Sequence, residues 1–112
     1  MPFITIKTNK QLTTSDKIAL KTDLGQAISI LPGKTEQWLM LSFESSDMYF
    51  KGSADACCIA EVKIYGSARQ NDYDKLTSTI TEIINKTLAI EPDRIYVAYF
   101  ETSIWGYNGT NF

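Results

Sequence analysis

The stretch from Asp16 to Phe43, DKIALKTDLGQAISILPGKTEQWLMLSF, decides the fold, because its apolar pattern recurs in the second half of the chain. Leu20, Leu24, Ala27, Ile28 and Leu31 stand at helical spacing, and Pro32-Gly33 then stops the helix. Trp38-Leu39-Met40-Leu41-Ser42-Phe43 follows as a compact apolar run of strand length. Shifted along the chain, Leu20, Leu24, Ala27 and Ile28 fall on Leu76, Ile80, Ile83 and Ile84, and Asp16 falls on Asp72. With a slip of one residue, Leu31 to Trp38 falls on Leu88 to Ile95, and Phe43-Glu44 on Phe100-Glu101.

Working outward, Ile4 and Ile6 alternate with polar neighbours and predict a first strand over residues 2–8. Thr13-Thr14-Ser15-Asp16 supplies capping residues for the first helix. Residues 44–56 are polar and glycine-containing, and read as a loop with a short extended piece near Met48-Tyr49-Phe50. Cys57 to Tyr65 reads as a strand, Gly66 to Asp72 as a loop ending in cap candidates, and Arg94 to Phe100 as the last long strand. Gly106, Asn108 and Gly109 lie among aromatics at the close of the chain. The expectation is one domain, residues 1–112, of class α/β (α+β). Two βαβ units with right-handed crossovers form a four-stranded mixed sheet with both helices on one face.

Two helices cover only one sheet face. Yet the 38–43 run is apolar on both parities, with Trp38 and Met40 opposed to Leu39, Leu41 and Phe43. In the last strand, Ile95, Val97 and Tyr99 oppose Tyr96, Ala98 and Phe100. Strands apolar on both faces are normally covered on both, which predicts a homo-oligomer. In the 57–65 strand, Glu61 and Lys63 share a parity, so one side of it is expected to meet water.

Composition narrows the chemistry. Eleven basic and thirteen acidic side chains give a formal charge of −2, and no basic run is present, which argues against nucleic-acid binding. No apolar stretch approaches the roughly 20 residues of a membrane span, and the start of the chain has no signal-peptide pattern. The neighbouring Cys57 and Cys58 suit a reducing compartment, as small buried hydrophobes. There is no histidine, which removes the commonest general base and the commonest zinc ligand. Neither a metal nor another cofactor is expected. Proton chemistry in this chain would fall to carboxylates, lysine, tyrosine or the chain terminus.

Met1-Pro2 ahead of an apolar strand, Gly33-Lys34 after the first helix, Pro92-Asp93-Arg94-Ile95-Tyr96 before the last long strand, and the ending Trp105-Gly106-Tyr107-Asn108-Gly109-Thr110-Asn111-Phe112 together resemble the macrophage migration inhibitory factor family of the tautomerase superfamily. The resemblance implies a homotrimer of such subunits. It also implies keto–enol tautomerisation of aryl pyruvates such as phenylpyruvate, an isomerase activity, with isomerisation of dopachrome derivatives beside it. Several members act as secreted cytokines despite lacking a signal peptide. A cytokine-like protein with a cell-surface receptor and a secondary or vestigial pocket is therefore the alternative reading, with a cytoplasmic protein also secreted by a route without a signal peptide.

The resemblance makes Pro2 the catalytic base, exposed as the N-terminal residue once Met1 is removed. A terminal amine is the weakest ordinary nitrogen base of a chain, near ~8 against ~10.4 for lysine, and burial or a nearby cation lowers it further. Lys34 would hold the substrate carboxylate. Tyr65 stands where the family usually has isoleucine, and Tyr96 matches a tyrosine given by the neighbouring subunit. Ala98 stands where the family often has asparagine. Trp38, Trp105, Tyr107 and Phe112 would complete an aromatic wall. Taken singly, each has a plainer reading. Pro2 begins an edge strand, Lys34 favours a helix C-terminus, and the aromatics pack an interface. Cys57 matches one cysteine of a family Cys-x-x-Cys whose partner position is Ala60 here, so no redox activity is carried over.

Overall fold

The computed structural model describes residues 1–112. Strand β1 (Pro2–Thr8) leads through helix α1 (Thr14–Ala27) to strand β2 (Met40–Ser45). Strand β3 (Cys58–Tyr65) leads through helix α2 (Gln70–Leu88) to strand β4 (Ile95–Thr102), and the chain ends in a small hairpin, β5 (Gly106–Tyr107) and β6 (Thr110–Asn111). The sheet order is β2-β1-β3-β4. Each βαβ unit pairs its own strands in parallel, and the two units meet antiparallel through β1 and β3, so the sheet is mixed.

The repeat in the sequence is the repeat in the fold. Asp16 and Asp72 both occupy the third position of their helices, where a carboxylate faces the positive end of the dipole. In α1, Thr13 caps through its side chain at 3.0 Å and Asp16 returns the bond to the Thr13 amide at 3.1 Å. In α2 the cap is Arg69, which offers no side-chain bond to the helix. Asp72 is therefore not a cap, and its carboxylate faces the Arg69 guanidinium at 3.6 Å instead.

Alternate residues of β1 and β3 point under the helices. Ile4, Ile6, Ala60, Val62 and Ile64 are fully buried there, against Leu20, Leu24, Ile28, Leu76, Ile80 and Ile84. This is the core the helical spacing predicted.

Three expectations shift. The second strand starts at Met40, because Glu36–Trp38 forms a 3-10 turn, and Trp38 stands before the sheet. Helix α1 ends at Ala27 and continues as a 3-10 turn over Ile28–Ile30, so Pro32-Gly33 lies just beyond it. The open sheet face is more mixed than two apolar parities suggest. Its register rows run Met40–Phe3–Lys63–Phe100, then Ser42–Thr5–Glu61–Ala98, then Glu44–Lys7–Ile59–Tyr96. Lys63 lies over Phe3 and Phe100, and Lys7 pairs with Glu61 at 2.9 Å, so the charged groups on this face are partnered within the chain. Met40, Tyr96 and Phe100 nonetheless stay exposed on it. Both cysteines are buried and unbonded, and burial pushes the Cys58 thiol up to about 12.

Candidate active site

Pro2 opens β1 opposite Ile64 and is buried, while the Tyr65 amide donates to the Met1 carbonyl at 3.2 Å. The start of the chain is thus clamped into the sheet beside the end of β3. Lys34 comes from the turn after α1. Its amide closes that turn on the Leu31 carbonyl at 3.1 Å, and its Nζ donates to the Tyr65 carbonyl at 2.9 Å. An ammonium group therefore sits at the head of β1. Partial burial, followed by the charge and hydrogen bond of Lys34, holds the Met1 α-amine at about 6, below its ordinary 8.0.

A cleft of about 560 Å³ opens at this point, lined by Met1, Pro2, Phe3, Gln37, Trp38, Leu39, Met40, Trp105, Gly106 and Tyr107. The 3-10 turn that displaced Trp38 from the sheet brings its ring to the cleft wall, edge-on to Tyr107 at 5.1 Å. Tyr107 stacks with Phe112 at 6.5 Å, and Phe112 meets Tyr65 at 6.0 Å. The tail is held in place by the hairpin and by the Phe112 amide, which donates to the Trp105 carbonyl at 2.9 Å. One end of the cleft is thus basic, with a rigid aromatic rim around it.

Within one chain, Pro2, Trp38, Trp105 and Tyr107 line the cleft, and Lys34, Tyr65 and Phe112 stand beside it. Tyr96 does not join them. It pairs with Ile59, whereas Pro2 pairs with Ile64, so five residue steps, about 16 Å of β3, separate the two positions. Gln37 and Met40 line the cleft without having been expected there. The position of Gln37 between Lys34 and Trp38 in one short turn was the available signal.

Two βαβ units sharing one four-stranded mixed sheet, with both helices on one face, make the fold of the tautomerase superfamily. The family model for macrophage migration inhibitory factor matches residues 1–112, and the chain belongs to that family. The crystal structure of Leishmania major MIF2 is 29% identical with a TM-score of 0.93, covering 100% of this chain and 97% of the other. The macrophage migration inhibitory factor-like protein of Entamoeba histolytica is 19% identical with a TM-score of 0.88, covering 99% and 98%. The Toxoplasma gondii macrophage migration inhibitory factor is 22% identical with a TM-score of 0.86, covering 98% and 99%. No curated protein matches at the sequence level. No helix is long and apolar enough to cross a membrane.

Proposed function

We propose that this chain, once Met1 is removed, is a keto–enol tautomerase for aryl pyruvates of the phenylpyruvate type, with Pro2 as general base. The observation that carries the reading is the head of β1, where the Lys34 ammonium is held on the Tyr65 carbonyl and Pro2 lines an aromatic cleft. Removing Met1 moves the terminal nitrogen one residue inward, to the buried Pro2. There it is a secondary amine on a rigid ring. Burial and the Lys34 charge both disfavour its protonated form, which leaves the nitrogen free to accept a proton.

The reaction needs no co-reactant. The neutral Pro2 nitrogen takes a proton from the carbon between the aryl ring and the carbonyl. The C–H electron pair becomes the C=C bond, the carbonyl oxygen takes a proton from solvent water as the enol forms, and the prolinium then returns its proton to solvent. In the reverse direction the prolinium returns its proton to carbon while the enol oxygen gives one up. Lys34 spends one donor on the Tyr65 carbonyl, and its other two N–H groups remain for the substrate carboxylate. Trp38, Trp105, Tyr107, Tyr65 and Phe112 take the aryl group. Ala98 removes one polar contact and Tyr65 reshapes the pocket, so both bear on substrate choice. The functional unit is a homotrimer in which Tyr96 enters a neighbouring subunit's pocket; the exposed Met40, Tyr96 and Phe100 support burial of the open face.

The test is phenylpyruvate keto–enol conversion by the wild type, Pro2→Gly and an N-terminally extended chain, with mass spectrometry to verify loss of Met1. Wild-type rates in the two altered proteins overturn the terminal base. Activity absent from all three, with receptor-dependent signalling intact, favours the cytokine-like reading.

A further inference from the structure

Within its own chain Tyr96 is 58% exposed, and a ring so exposed ordinarily samples several rotamers before a neighbouring subunit meets it. This one is held. Phe50, from the loop before β3, packs against it with ring centroids 4.6 Å apart and planes at 52°. Phe50 is itself fixed in two ways. Its backbone closes a tight turn on Ser53, with bonds of 2.9 and 3.0 Å in the two directions, through Lys51 and Gly52 in left-handed conformations. Its ring also carries the Arg94 guanidinium 5.4 Å from its centroid.

Arg94 does more than stack. Its Nε donates to the Ala56 carbonyl at 3.0 Å, and its Nη2 donates to the Asp55 carbonyl at 2.9 Å and the Ser53 carbonyl at 3.3 Å. The side chain that immediately precedes β4 therefore ties down the loop carrying Phe50, and Phe50 in turn fixes a ring two residues into the same strand. Asn9 holds the loop independently, through the Ala54 and Asp55 carbonyls at 3.0 and 3.1 Å. Loss of Arg94 would thus loosen the loop without releasing it.

We propose that Arg94 and Phe50 are positioning residues for the tautomerase site, holding the Tyr96 ring ready for the pocket of a neighbouring subunit; the inference rests on the shared-pocket reading above. The physical gain is preorganisation. A ring already ordered in the free enzyme loses little rotamer freedom when substrate binds, so its contact appears in KM more than in kcat.

The test is phenylpyruvate kinetics on processed protein whose trimeric mass is verified by light scattering. Tyr96→Ala is expected to raise KM. Phe50→Leu should raise KM by about three- to tenfold, the size of a lost aromatic pair, with kcat within about twofold. Phe50→Tyr, which keeps the ring, should restore the wild-type value, and Arg94→Lys should raise KM in the same direction. Unchanged KM in Phe50→Leu, beside a raised KM in Tyr96→Ala, overturns the positioning role and leaves the shared pocket standing. Unchanged KM in Tyr96→Ala overturns the shared pocket and this inference with it. Should Phe50→Leu fail to assemble, Arg94→Lys decides, and a wild-type KM in it overturns the proposal.

Discussion

Lys34 is tied to Tyr65 across the fold: its Nζ donates to the Tyr65 carbonyl at 2.9 Å, linking the turn after α1 to the end of β3. That bond holds an ammonium beside the Met1 α-amine, where its charge adds to burial in lowering that amine to about 6.

Lys34→Ala is expected to raise KM for phenylpyruvate by about ten- to a hundredfold, the worth of a charge-assisted hydrogen bond. It should also move the acid limb of the kcat/KM profile to higher pH, because the cation that opposes protonation of the amine is gone. Steady-state kinetics between pH 5 and pH 9 check both. A raised KM with an unmoved limb would detach Lys34 from the pKa of the base.

In the chain that keeps Met1, the α-amine should titrate near 6, measured by NMR after selective 13C-methylation. Between about 6 and 8.0 the unfolded chain binds more protons there than the folded one, so this group makes stability rise with pH across that window. If the neutral Pro2 amine is the base proposed above, kcat/KM of the processed chain should fall as pH drops through its pKa. A pH-independent rate across this range would exclude an amine as the base.

Gly25→Ala tests the turn that presents Trp38. A Cβ on Gly25 would clash with the Glu36 carboxylate, so the Glu36 side chain has to swing away. Glu36 is exposed and free to do so, and alanine improves the helix by about 1 kcal/mol. The expected result is a Tm about 2–6 °C higher with a shifted tryptophan emission, read by calorimetry and fluorescence. A lower Tm would mean that the Glu36 contact stabilises the turn more than the glycine weakens the helix.

Gly109→Ala tests the aromatic rim. Gly109 has φ +80°, where a side chain is strained by about 1 kcal/mol. The hairpin it closes is exposed and carries Tyr107 against Trp38. KM should rise severalfold while Tm moves by less than about 3 °C, because the strain falls on a locally stable unit outside the core. Equal kinetics in mutant and wild type would remove the hairpin from the site.

Assembly can be read directly. Light scattering at micromolar concentration is expected to give about three times the 12.6 kDa chain mass. A stable monomer would sink the shared pocket.

The repeat was legible because helix and strand periods differ, and because buried positions cannot vary freely. Leu20 and Leu76, or Ile4 and Val62, could be assigned to a core from spacing alone. The open face was less legible. Parity places Lys7, Glu61 and Lys63 on it, but only the register shows that they meet one another, Phe3 and Phe100. Trp38 reads as part of a strand, because an apolar run carries no mark of where a 3-10 turn yields to extended backbone. The tail hairpin leaves no mark in the sequence, because two-residue strands have no period to read.

By itself, the sequence determined two βαβ units, a core beneath two helices and a chemistry without histidine, since composition and periodicity act locally along the chain. Only the tertiary structure decided which residues meet. Lys34 and Tyr65 lie 31 positions apart, and Phe50 and Arg94 come from different loops. Their contacts depend on how strands from both halves register against each other. That same sheet takes Tyr96 away from Pro2, since β3 lies between their strands and their rows on it, Ile59 and Ile64, do not coincide.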